Sequence, residues 1–301
     1  MTYSSGNTIL DDDYNGFKDD VNGTYATGAT TQGYGQTAVS AVSAGTTISA
    51  TQWVSLLTPI SSMASHQGTS ITAITNPSAG DTIAAYTALA SNITAVTGDN
   101  RFNAVANGSD SSVSSTTTSS WSSSATLTKT FTFASATQLR YYFNAGGMLR
   151  FSWSRTGGSS NNQNTSWTNL LTASGTIALT GDANSKTINS VAYTGTTKIG
   201  GSGSPSTLRT DLGLQNFTTN TTLFAQASTS SGYTANTISF AAAISGAVVT
   251  ITTTLTDGSG GFTDNVDGTL TQVSTIRPPS TTYLTNSWGT TTQNSPSWSL
   301  S

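Results

Sequence analysis

Apolar residues recur at two periods along this chain, and the change of period divides it. Near the start, Tyr14, Phe17 and Val21 fall at i, i+3 and i+7, one face of a helix. A Gly-rich connector follows, centred on Gly33-Tyr34-Gly35-Gln36. Ser49 is then placed to cap a second helix, whose apolar stripe is Trp53, Leu56, Leu57, Ile60 and Met63. Pro59 lies inside that stripe. Proline lacks an N–H and crowds the preceding turn, so the spacing predicts a kink there or a stop just before it. His66 and Gly68 close the segment. A third, weaker helical pattern covers 81–97, with Asp81 as cap and Ile83, Tyr86, Leu89, Ile93 and Val96 along one side.

Beyond residue 108 the period shortens to two. Leu127, Phe131 and Phe133 alternate with Thr128, Thr130 and Thr132, and Leu149, Phe151 and Trp153 alternate with Arg150, Ser152 and Ser154. Ile238, Phe240, Ala242 and Ile244 form a third such run, and Val249, Ile251, Thr253 and Leu255 a fourth. Turn signals at Gly146-Gly147, Gly157-Gly158 and Asp257-Gly258 separate them. Period-two segments between Gly-rich turns predict antiparallel sheet with one buried face, and their length and spacing fit a sandwich. A short helix near Trp167–Leu171 is placed to cover one end. The fold class expected is therefore mainly β: an antiparallel β-sandwich preceded by a small helical module. The expected division is a helical docking module over 1–107, a Ser/Thr-rich linker or edge strand over 108–124, and the sandwich with an extended tail over 125–301.

Composition narrows the chemistry. Of 301 residues none is Cys, one is His, and all 13 acidic residues are Asp. Thiolate nucleophiles, zinc–cysteine centres and disulfides are excluded. Only 8% of residues are charged and the net charge is −3. No basic patch stands out for nucleic acid, and no run approaches the ~20 apolar residues of a membrane span. The first residues lack a basic segment followed by an apolar run, so no signal peptide is expected. Surface charges keep monomers apart, and a Ser/Thr/Asn/Gly exterior this poor in them suits a protein that lives inside an assembly.

The remaining candidates are few. A Ser-His-Asp triad would need His66 as its base, but a His closing a helix is commonly structural and no Gly-x-Ser-x-Gly elbow accompanies it. Paired-carboxylate hydrolysis or calcium binding would fall to Asp264 and Asp267, in a segment that reads as a turn. Asp11-Asp12-Asp13 reads as a solvated helix start. No catalytic residue, metal or cofactor is expected. Tyr14, Phe17, Trp53 and Leu56 are the core or docking residues of the helical module. Tyr141, Tyr142, Trp288 and Trp298 are the candidate exposed aromatic contacts, because two lie in a run with rings on both faces and two in a polar tail.

Three groups of strings carry a resemblance. The first is Leu139–Gly158, LRYYFNAGGMLRFSWSRTGG, read as a strand ending in FNAGG and a second strand, followed by Ser166-Trp167-Thr168-Asn169-Leu170-Leu171. The second is Gly260–Thr271, GGFTDNVDGTLT. The third is N-terminal: Asp13-Tyr14-Asn15, Gly33-Tyr34-Gly35-Gln36, Ile48–Trp53 and His66-Gln67. In their order the chain resembles virion structural proteins of tailed bacteriophages, especially phages of cyanobacteria and other marine bacteria. It departs from that pattern at Pro59. The resemblance implies a part of the neck, tail, baseplate or attached fibres, made in the host cytoplasm and residing in the virion. It implies other virion proteins and further copies of this chain as partners. A receptor- or glycan-binding fibre module is the alternative.

Overall fold

The computed structural model describes residues 10–29, 31–79, 86–217, 219–259 and 265–301. Asp81, Ile83 and Asp264, named above, lie outside the described residues. Three helices come first: α1 (Asp11–Tyr25), α2 (Ala50–Gln67) and α3 (Tyr86–Thr97). The acidic run fills the first turn of α1, where negative charge meets the positive end of the helix dipole. It is not wholly solvated, since Asp13 is buried and accepts the Leu10 N–H at 3.4 Å. Ser49 caps α2 by accepting from the Gln52 N–H at 3.3 Å, and Gln52 Oε1 accepts the Ser49 N–H in return at 2.8 Å. Pro59 does not stop α2, which runs on to Gln67 and ends on Gly68 in the left-handed conformation. The Pro59 ring is buried, so packing holds the helix through the missing hydrogen bond. Phe17 meets Trp53 edge-on at 6.4 Å and Tyr86 at 4.8 Å, which ties the three helices together.

The Ser/Thr-rich segment is an edge strand, β1 (Ser111–Thr117). It is followed by β2 (Ser124–Thr132), α4 (Ala136–Asn144), β3 (Met148–Thr156), α5 (Asn162–Ser174) and β4 (Thr176–Leu179). A short hairpin of β5 (Lys186–Ile188) and β6 (Val191–Tyr193) stands apart. Then come β7 (Thr196–Ile199), β8 (Thr207–Leu208), β9 (Thr221–Ala227), β10 (Thr237–Ser245), β11 (Val248–Thr256), β12 (Thr269–Arg277), β13 (Thr292–Gln293) and β14 (Ser299–Leu300). One antiparallel sheet has the order β1-β12-β3-β4-β7. The other runs β13-β2-β11-β10-β9-β8, with β14 also on β2. The sheets face each other through their alternating apolar sides. Phe131 meets Phe151 at 5.6 Å, Phe151 meets Phe240 at 4.8 Å, and Trp153 stacks on Phe224 at 6.4 Å. Helix α5 packs on β3 of one sheet and on β9 and β10 of the other. The fold is thus mainly β, antiparallel, with its three leading helices at the N-terminal end.

Two local expectations are corrected. FNAGG ends a helix and not a strand, because Leu139, Tyr142 and Phe143 sit at i, i+3 and i+4 and Ser135 caps the Gln138 N–H at 3.1 Å. The tail does not project. It crosses from one sheet to the other: β13 and β14 pair with β2, Gln293 Nε2 donates to Ser111 O at 3.3 Å, and Trp298 Nε1 donates to Ser115 O at 3.0 Å. A single buried cluster extends from Tyr14 and Trp53 through Phe131 and Phe151 to Trp288 and Trp298.

Candidate functional site

The four proposed exposed aromatics are all buried. Tyr141 and Trp298 are 8% exposed, and Tyr142 and Trp288 less. The physical reason is the same in each case: a large ring finds cover within its own chain. Tyr142 lies under Phe133 and Phe143, and its hydroxyl donates toward Met148 O at 3.1 Å and Arg277 O at 2.8 Å. Trp298 fills the seam between β1 and β2 described above. Tyr14, Phe17, Trp53 and Leu56 are also buried, as the core of the helical module.

The most heavily built region is the joint between the helices and the sandwich, and Gly33-Tyr34-Gly35-Gln36 forms it. Asn144 Nδ2, at the end of α4, donates to Gly33 O at 2.9 Å. Gly35 has φ +71 and faces the Tyr141 ring so closely that a Cβ would stand 2.3 Å from it. Gln36 pairs with Thr285 in both directions, donating to its carbonyl at 2.9 Å and accepting its N–H at 2.8 Å. Ser287 Oγ donates to Tyr34 O, and the Tyr34 hydroxyl donates to Arg101 O. Gln67 Nε2 donates to the Tyr34 hydroxyl and to Val96 O, both at 2.8 Å. Burial pushes the Tyr34 phenol far above its ordinary range. Gly35→Ala is expected to cost about 1–3 kcal/mol, from backbone strain and the collision with Tyr141 together, read as a fall in the denaturation midpoint.

His66 belongs to this joint and to no triad. Its ring is buried, lies 5.6 Å from Tyr34 edge-on, and Nε2 donates to Ala145 O at 3.2 Å. Burial lowers its pKa to about 4, so it is neutral near pH 7. The role of His66 is structural, and His66→Ala tests it. The variant leaves a cavity and a carbonyl without its donor, and about 2 kcal/mol of destabilisation is expected in urea unfolding.

Side-chain amides act as stitches throughout the helical module. Asn15 exchanges two hydrogen bonds with Val42 (both 3.0 Å), Asn22 two with Val39 (2.9 and 2.8 Å), and Asn92 two with Thr72 (2.8 and 2.9 Å). Each amide thus completes a backbone pairing for an extended segment that lies along a helix. Sequence reasoning missed these residues. The only signal is the i, i+7 spacing of Asn15 and Asn22, which puts both on one half-buried flank of α1.

Asp267 is likewise committed. It accepts from Ser159 Oγ at 2.7 Å and Ser159 N at 3.0 Å, from Asn164 Nδ2, and from Arg155 Nη2 at 3.3 Å. These donors, Ser159 foremost, bring its pKa down to about 2. It ties the loop after β3 to the start of β12.

Open clefts mark the exterior. One of about 480 Å³ lies between α2 (Leu57, Ser61, Ser65), the segment 71–76 and Tyr283. Tyr283 is 43% exposed. A second of about 410 Å³ separates 37–42 from α2. A third of about 340 Å³ lies between α4, Phe217 and Ile244. Hydroxyls, amides and apolar side chains line the first two, and neither lining groups an acid with a base. Among the described residues no helix is long and apolar enough to cross a membrane. Compared with known proteins, the chain matches no protein family, no curated protein and no solved structure.

Proposed function

We propose that this chain is a structural component of a tailed-phage virion, in the neck, tail, baseplate or attached fibres, acting by protein–protein assembly. The observation that carries the reading is spatial. Three strings that support the resemblance, Gly33–Gln36, His66-Gln67 and Phe143–Gly147, are far apart in sequence and meet at one joint. There Asn144 holds Gly33, Ala145 holds His66, and Tyr34 holds Gln67. They act as one structural unit. The charge-poor exterior and the hydroxyl-lined clefts on the helical module suit close packing against neighbours without charge repulsion.

The four rings nominated for exposed contacts lie in the interior and support neither docking to protein nor binding of glycan. Tyr283, beside the cleft between α2 and the segment 71–76, is the residue on which the glycan-binding alternative would now rest. Particles of the phage that encodes the chain provide the test, by mass spectrometry after density-gradient purification and by gold-labelled antibody against 108–301. Constant copy number and labelling of the neck, tail or baseplate are expected. Absence of the chain from purified particles would overturn the proposal, and label confined to distal fibre ends would move it to host recognition.

A further inference from the structure

Lys129 stands on the buried face of the sandwich. It shares that face of β2 with Leu127 and Phe131 and is 0% exposed. Its Nζ has no hydrogen-bond partner among the described residues, and neither do two other buried atoms at the same seam, Ser115 Oγ and Gln293 Oε1. Register brings the three to one seam. Gln293 is the cross-strand partner of Phe131, two residues from Lys129, and its side chain reaches across to Ser111 O and Ser274 O. Ser115 lies on β1 opposite Gln272, facing inward, and its carbonyl receives the Trp298 indole. The tail pairs with β2 on either side of Lys129, at Phe131–Thr132 and at Ala125–Thr126, and residues 294–298 with Pro296 pass between.

The adjoining strands offer no counter-charge. Strands β1, β2, β11, β13 and β14 contain no Asp, nor does the tail beyond Arg277, and the terminal Ser301 is engaged by the N–H groups of Ser122, Ser123 and Ser124 at the far end of β2. Asp110 is taken by Arg277 at 2.8 Å. Gln272, at the centre of the seam, is already engaged by Trp153, Thr253 and Ser274. An ammonium group enclosed in this way needs a counter-ion or must give up its proton. We propose that the seam holds a small monovalent anion, of chloride's size and charge, on Lys129 Nζ and Ser115 Oγ. The ion lies beneath the tail and fastens it across the two sheets.

The test is thermal unfolding of the full chain at fixed ionic strength, with bromide replacing gluconate, an anion too large for the seam. The wild type is expected to show a saturable rise of about 2–4 °C. Lys129→Met, of nearly the same shape, is expected to lose the saturable part, and Ser115→Ala to move its midpoint to higher bromide. Crystals grown in bromide provide a readout independent of stability: one anomalous peak within hydrogen-bond distance of Lys129 Nζ. An identical bromide response in wild type and Lys129→Met, or a seam holding only water in bromide crystals, would overturn the assignment.

Discussion

Trp53→Ala is expected to destabilise the protein by about 3–5 kcal/mol, the usual range for removing a fully buried tryptophan. The indole is almost wholly enclosed and forms the hub of the helical module, with the Phe17 edge against it. Nothing nearby can collapse into the space cheaply. α1 is held by the Asn15 and Asn22 stitches, and α2 by its Ser49–Gln52 cap and by Gly68. A rigid surround keeps a cavity open, and an open cavity raises the cost of truncation. Equilibrium unfolding in urea measures the effect. Trp53→Phe, which keeps most of the apolar volume, is expected to lose less than half as much. A Trp53→Ala loss under about 1 kcal/mol would show that the module collapses around the site, and would place its stability in the amide stitches.

How much of this was legible depended on what each residue type signals. The alternation of Leu127, Phe131 and Phe133 identified a strand because threonines held the opposite face, and the runs at 238–244 and 249–255 were readable for the same reason. The helical stripes of α1 and α2 were equally plain. Helix α4 was not, since Tyr141-Tyr142-Phe143 is a run that strands favour, and its helical form rests on the spacing of Leu139, Tyr142 and Phe143 and on the Ser135 cap. The tail misled because its tryptophans sit among polar residues. Local sequence carries no sign that Trp298 fills a seam opened by strands more than 170 residues earlier. The stitches were hidden because Asn is read as a turn former, although on a helix its amide can complete a backbone pairing. Lys129 was the most hidden of all. It occupies the inward position of a legible strand, and a lysine's hydropathy argues for the outside.

That lysine also sets how stability changes with pH on the alkaline side, and here the expected effect is large. Burial lowers its pKa from the ordinary 10.5 to about 8. Between those values the unfolded chain binds the proton and the folded chain does not, so stability rises as pH rises from about 8 toward 10.5. A shift of this size corresponds to about 3 kcal/mol at full effect. The strands packed against it contribute little competing titration: β1, β11, β13 and β14 carry no ionisable side chain, and on β12 only Arg277 does, already paired with Asp110. Buried Tyr34 and Tyr142 act in the opposite sense at higher pH, because their pKa values are raised and stability falls once the unfolded phenols ionise. The difference between wild type and Lys129→Met cancels those tyrosines and isolates the lysine. In gluconate buffer that difference is expected to favour the methionine variant at pH 7 and to shrink as pH rises from 8 toward 10. Saturating bromide, by keeping the ammonium charged and partnered, is expected to flatten the slope. On the acid side His66, whose pKa is about 4, makes stability fall as pH drops from 6.5 through 4, and Asp267, with its lowered pKa, adds to the fall at still lower pH. A wild-type protein whose stability does not change relative to Lys129→Met between pH 7 and 10 would mean that the amine reaches solvent, past the tail that covers it.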